Sequence, residues 1–169
     1  MLEKRRLQKV YLLLVFLGLA LFSVPVQAQQ APANLQAALI MKLLAFYTNL
    51  GADPFTIHVI GAPDVAAELE KHVGKPAGKA TLNGVTQGDS PSGGPKVVYV
   101  GGNVESSIGW TATNQVLSVT GNPDFVPQGV TLGIAIEDKK PKILLNLTSS
   151  KNEGINWNPA ILKVAATIK

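Results

Sequence analysis

The chain has 169 residues, no cysteine, and 15 lysines and arginines against 11 aspartates and glutamates. Without cysteine it has no disulfides, no thiol chemistry and no zinc–thiolate site, so the folded part must be held together by packing. The length suits one domain that is large enough to bury a hydrophobic core.

The first 28 residues have the pattern of an export signal. An apolar run from Val10 to Val24 is followed by Val26-Gln27-Ala28, which has small residues at the positions a signal peptidase requires. Basic residues precede the run: Lys4, Arg5, Arg6 and Lys9. We therefore expect export with cleavage after Ala28, which leaves a single domain over 29–169. The alternative is a retained membrane anchor, although the apolar run is shorter than the about 20 residues of a typical bilayer span.

Cleavage would also remove most of the net positive charge. Residues 1–28 hold four of the basic residues and one acid, so residues 29–169 hold 11 and 10. A nearly neutral domain gives no support to binding of nucleic acid or direct association with an acidic membrane. We expect neither.

The first half of the domain reads as helix, strand, helix. "LQAALIMKLLAFYTNLG" predicts an amphipathic helix that is capped by Asn34 and closed by Gly51. "PFTIHVIG" is apolar enough for a strand buried on both faces. "APDVAAELEKHVGK" returns to helical spacing, with Pro63 in its first turn and Gly74 at its C′ position.

The second half alternates in the same way. "KATLNGVT" predicts a short edge strand, "KVVYVGG" a buried strand, "NVESSIGW" a short helix that starts at Asn103, and "QVLSVTG" a further strand. "VTLGIAIEDKKPKILLNL" predicts an antiparallel hairpin that turns at 138–141. "NPAILKVAATIK" predicts a final helix capped by Asn158, with Pro159 in its first turn.

This order predicts an α/β fold. We expect a three-layer Rossmann-like sandwich, with a small, mainly parallel sheet of five or six strands that ends in a C-terminal antiparallel hairpin. In such folds ligands bind at the carboxyl ends of the strands.

Three predicted loops would meet at that edge of the sheet. Their candidate ligand-binding residues are Gly101, Gly102, Asn103, Gly121, Asn122, Asp124 and Phe125, with Gly61 and Ala62 alongside. The alternative is that these residues only form the turns that follow strands. The spacing around Gly101 is neither G-x-G-x-x-G nor a P-loop, so nucleotide binding is disfavoured and another small ligand stays open.

The sequence gives little support to catalysis. His58 lies mid-strand, where a hydrogen-bonded core imidazole is expected, and His72 lies near a helix C-terminus. Ser106 and Ser107 lack the G-x-S-x-G context of a serine nucleophile. We expect no catalytic residues, no metal site and no cofactor, and interpret the protein as a non-enzyme.

Several blocks in fixed order resemble the YfiR/HmsC-like family of exported bacterial proteins. The central block is Val116-Leu117-Ser118-Val119-Thr120-Gly121 with Phe125 and Gly129, the hairpin ends in Leu144-Leu145-Asn146, and the closing segment begins at Asn158-Pro159. The chain departs from the family pattern at Met41-Lys42, at Leu144 and in its lack of cysteine.

The resemblance implies a periplasmic regulator. Family members bind the periplasmic sensory part of an inner-membrane diguanylate cyclase and repress it, which restrains cyclic-di-GMP signalling and biofilm formation, and such members look like homodimers. A membrane sensor kinase is a further possible partner. The rival interpretation is a periplasmic small-ligand sensing domain that feeds a membrane sensor.

The first predicted helix carries more apolar residues than one buried face needs. We therefore predict that Leu39, Ile40, Leu43 and Tyr47 form an exposed patch that binds the partner. The alternative is that both faces of the helix pack within the domain or a dimer.

Overall fold

The computed structural model describes residues 29–168. The predicted export signal and its cleavage site after Ala28 lie outside the described residues. Within 29–168, no helix combines the length and the hydropathy that crossing a membrane requires.

The described chain alternates strands with short helices. The helices are α1 (Ala33–Leu43), α2 (Pro63–Glu70), α3 (Val104–Asn114) and α4 (Leu147–Asn152). The strands are β1 (Gln29–Gln30), β2 (Phe55–Ile60), β3 (Pro76–Ala77), β4 (Ala80–Gln87), β5 (Val97–Val100), β6 (Leu117–Thr120), β7 (Leu132–Glu137), β8 (Lys140–Asn146) and β9 (Ala165–Ile168). Single 3₁₀ turns lie at Leu44–Phe46, Thr48–Leu50, Pro123–Phe125 and Pro159–Lys163.

The nine strands of residues 29–168 belong to one sheet, more than the five or six expected from the sequence. The order is β3-β4-β2-β5-β6-β7-β8-β9, and β1 pairs with the part of β7 that extends past β6. Pairing is parallel from β4 through β7 and antiparallel in the β7–β8 hairpin. The α/β class and the mainly parallel sheet are therefore as predicted.

Two hydrophobic clusters lie on opposite faces of the sheet and make the fold three-layered. The larger cluster packs α1 and α2 against side chains such as Ile57, Leu117 and Leu132. The smaller cluster packs Ile108 of α3 against Val98 and neighbouring valines. Consecutive residues of β5 and β6 serve both faces, because side chains alternate between the faces of a strand. Every residue of these two strands is therefore buried.

The hairpin is confirmed, with a shorter turn than predicted. Glu137 pairs with Lys140, so only Asp138 and Lys139 form the turn, both with positive φ (49° and 63°). Such two-residue turns match the twist of the flanking strands.

The predicted C-terminal helix is wrong beyond its first turn. Asn158 does cap, since its side chain accepts a hydrogen bond from the Ala160 backbone N–H at 3.0 Å. The turn ends at Lys163, and residues 165–168 form β9 parallel to β8. The outer edge of β8 presents backbone N–H and C=O groups that a strand partner satisfies, and the β-branched Thr167 and Ile168 suit such a strand.

The first helix is also shorter than predicted. It ends at Leu43 and gives way to two 3₁₀ turns, and its N-cap is Pro32 rather than Asn34. The side chain of Asn34 accepts a hydrogen bond only from the neighbouring Leu35 N–H, at 2.9 Å. The sequence did not indicate α4, which the side chain of Asn146 caps by accepting from the Ser149 N–H at 2.9 Å.

Candidate functional site

The predicted Gly61 and Gly101 loops meet at the carboxyl edge of the sheet. The Gly101 N–H donates to the Ile60 carbonyl at 2.8 Å. A Cβ at Gly101 would lie 2.7 Å from that carbonyl oxygen and 2.8 Å from the Cβ of Ala62. Gly101 is therefore required for the close approach of two turns, which is the structural alternative considered from the sequence.

The loop at Gly121 is filled from inside the protein. The Gly121 N–H donates to the hydroxyl of Tyr99 at 3.0 Å, and that hydroxyl donates to Oε1 of Gln36 at 2.5 Å. Nε2 of Gln36 donates in turn to the Ala31 carbonyl at 2.5 Å. Gln36 and Tyr99 are both buried, and a Cβ at Gly121 would overlap the Gln36 amide. We call this set the Gln36 plug.

The Gln36 plug occupies the space that a ligand would use in a sheet of this kind. Burial raises the pKa of Tyr99 to about 12, so its hydroxyl stays protonated and able to donate to Gln36 up to a higher pH than an exposed tyrosine would. Ligand binding at this edge stays a prediction, and it would require Gln36 of α1 to move.

Three of the remaining predicted ligand-binding residues have structural roles in the fold. Asn103 stands at the N-cap of α3 in a left-handed conformation, without a side-chain capping bond. Its carbonyl accepts from the Ser107 hydroxyl at 2.8 Å. The side chain of Asn122 accepts from the Asp124 N–H at 3.0 Å, and Phe125 packs against the smaller hydrophobic cluster. Gly102 has open space where its Cβ would lie.

The predicted exposed patch on the first helix does not exist in the described chain. Ile40, Leu43 and Tyr47 are buried at 1%, 5% and 5% exposure, and Leu39 is half-buried. These side chains belong to the larger hydrophobic cluster or pack against it. The exposure predicted for these residues was wrong, because the apolar residues of this segment pack within the domain.

A C-terminal segment covers the end of the first helical region. The ring of Trp157 lies 5.9 Å from that of Tyr47, measured between centroids. Backbone hydrogen bonds join Thr48 to Asn156 at 2.9 Å and Asn158 to Phe46 at 2.8 Å. Burial, and secondarily the nearby carboxyl of Glu153, raises the pKa of Tyr47 to about 12.

A buried carboxyl, which sequence reasoning missed, lies on the other face of the sheet. Glu153 is 2% exposed. Its Oε1 accepts from the Thr111 hydroxyl at 2.7 Å, and its Oε2 accepts from the Thr131 hydroxyl at 2.6 Å and the Ser118 N–H at 3.0 Å. Burial raises its pKa, although these hydrogen bonds act in the opposite direction. Its partners are 22 to 42 positions away, so no local pattern reveals the cluster.

The two histidines lie apart from these groups. His58 is buried in β2 and exchanges hydrogen bonds with the Thr86 hydroxyl at 2.8 Å and the Gly88 carbonyl at 3.1 Å, as predicted for a core imidazole. His72 is half-buried, and its pKa is lowered by partial burial and by Lys75. Among residues 29–168, no group of three or more histidine or acidic side chains is placed to hold a metal ion.

One solved structure shows the same fold at low sequence identity. It is the crystal structure of a conserved domain protein from Vibrio cholerae O1 biovar El Tor, with a TM-score of 0.55 and 13% identity. The match covers 83% of this chain and 61% of the Vibrio chain, so this protein corresponds to somewhat under two thirds of that one. At this identity the likeness concerns the fold alone. No curated protein sequence matches the chain significantly.

The family comparison is more specific. The sequence profile of the YfiR/HmsC-like family matches residues 33–166, which is almost all of the described chain, from α1 into β9. The chain therefore belongs to the YfiR/HmsC-like family, a family of periplasmic regulators.

Proposed function

We propose that this protein is a periplasmic regulator that binds the periplasmic part of an inner-membrane diguanylate cyclase and represses it. The same mode of action would apply to a sensor kinase if one takes the place of the cyclase. Repression would act through protein–protein contact, and would restrain cyclic-di-GMP synthesis and biofilm formation. In this proposal the protein is a binding module and not a catalyst.

The observation that carries the proposal is the Gln36 plug, in a chain whose family is regulatory. At the edge where α/β proteins bind small ligands, buried side chains of this chain fill the space and bond the Gly121 backbone. The outer surface is then the part of the molecule best suited to recognition, as in a protein-binding module.

Coexpression with a candidate partner tests the proposal. The full chain, with its predicted export signal, is expressed beside the membrane diguanylate cyclase encoded nearest to it, and intracellular cyclic-di-GMP is measured. We expect the level to fall, and the two proteins to copurify from solubilised membranes. A control in which residues 1–28 are removed should leave the level unchanged, because the chain would stay in the cytoplasm. An unchanged level with the full chain, despite its presence in the periplasm, would refute the proposal.

The active form is proposed to be a homodimer. Leu162 and Val164 support this, because both are more than half exposed and directly precede β9, the edge strand of the sheet. Sedimentation velocity of the domain over 29–169 would show a dimer that Val164→Glu weakens. A monomer at all concentrations would contradict the proposal.

Small-ligand sensing remains the second candidate, at a different place from the one predicted. A pocket of about 420 Å³ opens between α3, the Gln128-Gly129 loop and α4, beside the buried Glu153. A thermal-shift screen of periplasmic metabolites tests it, since a ligand at 100 times its Kd adds about 2.7 kcal/mol to the free energy of unfolding. If no metabolite raises the melting temperature, this candidate is discarded.

A further inference from the structure

A depression with basic residues at its rim lies between the end of α1 and the segment that enters β3. Its volume is about 500 Å³, and none of the residues that line it is acidic. Apolar side chains form most of the floor: Ala38, Met41, Ala45 and Pro76. Two lysines line it as well, Lys42 and Lys75, together with the imidazole of His72. We call this surface the cationic depression.

The positive charge continues past the depression. A neighbouring hollow of about 270 Å³ shares Ala45 and Gly78 with it and is lined by Lys79. Lys42, Lys75 and Lys79 are exposed. Their aliphatic stems can cover the apolar floor while their ammonium groups stay in water.

Ion pairs do not neutralise these lysines, although the domain over 29–169 is close to neutral. Glu68, which acts on His72, already binds Lys71 at 2.7 Å. Among residues 29–168, the ion pairs are Lys71–Glu68 and Lys142–Glu137, so none involves a lysine of the cationic depression. A positive cluster on a neutral domain creates a local field that attracts a negatively charged partner.

Helix ends do not account for the cluster. Lys42 lies in the last turn of α1, where a cation interacts favourably with the helix dipole. Lys75 and Lys79 lie outside any helix, before β3 and in the turn between β3 and β4. The helix dipole therefore accounts for only one of the three charges.

The hairpin that carries Lys79 is held firmly against α1. Ala77 and Ala80 are buried, and Gly78 turns with a φ of +64°. A Cβ on Gly78 would lie only 3.0 Å from the Cα of Ala45, so the turn contacts the helical region directly. The backbone positions that carry these lysines are therefore fixed relative to the apolar floor, which lowers the part of the entropic cost of association that comes from the backbone.

We propose that the cationic depression is the docking surface for an acidic segment of the partner protein. Apolar side chains of that segment would contact Met41 and Ala45, and its carboxylates would face Lys42, Lys75 and Lys79. The open form suits a polypeptide, because a protein interface combines an apolar centre with a charged rim. This inference rests on the proposed function, in that it presupposes a protein partner.

Charge reversal outside the helices tests the surface without disturbing α1. The variant Lys75→Glu with Lys79→Glu is compared with a matched control, Lys96→Glu with Lys139→Glu, which has the same charge change at exposed positions elsewhere. Urea unfolding confirms that both variants are folded. Binding of the periplasmic domain of the neighbouring diguanylate cyclase is then measured by biolayer interferometry.

We expect the depression variant to lose about tenfold or more in affinity, mainly through slower association, while the control changes by about twofold or less. Raising the ionic strength from about 0.05 M to about 0.3 M should weaken wild-type binding and reduce the difference between the variants. If wild type binds the cyclase domain and the depression variant binds it equally well, the docking surface is wrong and the proposed function stands.

A second probe separates the two proposals. It is a synthetic amphipathic peptide helix with glutamate on one face and leucine on the other. The control peptide carries lysine in place of glutamate. If wild type binds the acidic peptide through Lys75 and Lys79 but not the cyclase domain, the surface stands and the cyclase proposal fails. If wild type binds neither probe, or binds anionic phosphatidylglycerol vesicles in preference to the peptide, the docking surface for an acidic polypeptide is overturned.

Discussion

Replacing Glu153 by glutamine should make the domain more stable at neutral pH than wild type. The amide oxygen can take the position of Oε2 and accept from the Thr131 hydroxyl and the Ser118 N–H. The amide nitrogen can take the position of Oε1 and donate to Thr111, whose hydroxyl is then free to donate to the Ile108 carbonyl at 3.2 Å. The substitution therefore keeps the buried hydrogen bonds and removes the charge.

The effect should depend on pH in a defined direction. Burial raises the pKa of Glu153 in the folded state above its ordinary value of 4.5. Between these two values the folded state binds more protons than the unfolded state, so the wild-type free energy of unfolding falls as pH rises. Each unit of pKa elevation corresponds to about 1.4 kcal/mol. The glutamine variant does not titrate at this position, so its advantage should grow from about pH 4.5 upward until the pH passes the folded-state pKa.

A leucine at position 153 provides the contrast. It fills similar space but leaves the Ser118 N–H and the Thr131 hydroxyl buried without this acceptor. At about 1–3 kcal/mol for each unsatisfied group, the loss is about 2–6 kcal/mol, a large part of the about 5–15 kcal/mol by which a domain is stable.

Urea unfolding of the three proteins between about pH 4.5 and pH 8 measures these differences directly. Subtracting the wild-type free energy of unfolding at each pH cancels the contribution of the other titrating groups. A stability difference between the glutamine variant and wild type that does not change with pH would show that burial does not shift Glu153. A glutamine variant as unstable as the leucine variant would refute the hydrogen-bond exchange.

Three further predictions concern the first helical region. Gly121→Ala should lower the free energy of unfolding by about 2–4 kcal/mol, because the added Cβ would displace the Gln36 side chain. The loss should be much smaller in a Gln36→Ala background. Equal losses in the two backgrounds, measured by urea unfolding, would exclude the clash with Gln36 as the cause. Trp157→Ala should lower the free energy of unfolding by about 2–3 kcal/mol and lower the pKa of Tyr47 from about 12 toward 10. If the titration of the Tyr47 phenol, followed by absorbance, is unchanged, Trp157 does not cover Tyr47. Ile40→Asp should unfold the domain, because it places a charge in the core. A native circular dichroism spectrum of this variant would contradict the burial of Ile40.

The fold could be predicted to a useful extent because its strands carry local signals. The strand around Val98 is continuously apolar, the strands around Ile57 and Val119 are rich in β-branched residues, and the hairpin around Asp138 has too short a connection for any other pairing. The last segment could not be predicted, because residues 159–168 have apolar residues at helical spacing. Only the unpaired edge of β8 selects the strand.

The candidate site could be predicted only in part. The loops at Gly101 and Gly121 do lie at the carboxyl edge, as the order of strands requires. The filling of this edge from inside the protein could not be predicted, since Gln36 lies 85 positions before Gly121 and in a helix whose direction the sequence does not specify. The same holds for Glu153, whose three donors come from distant segments.

The sequence by itself determined the class of fold and the alternation of strands and helices, because apolar periodicity and turn residues act over short distances. It also determined membership of a regulatory family, through the match over residues 33–166. Tertiary structure alone decided which surfaces are available. Packing of the segment at 153–158 against the end of the first helical region buries Tyr47, and packing of α1 on the sheet places Gln36 in the crevice. The side chains of Lys42 and Lys75 come to line one depression only because α1 and the entry to β3 are brought together in space. Burial and charge clustering depend on contacts between distant residues, and these contacts exist only once the chain has folded.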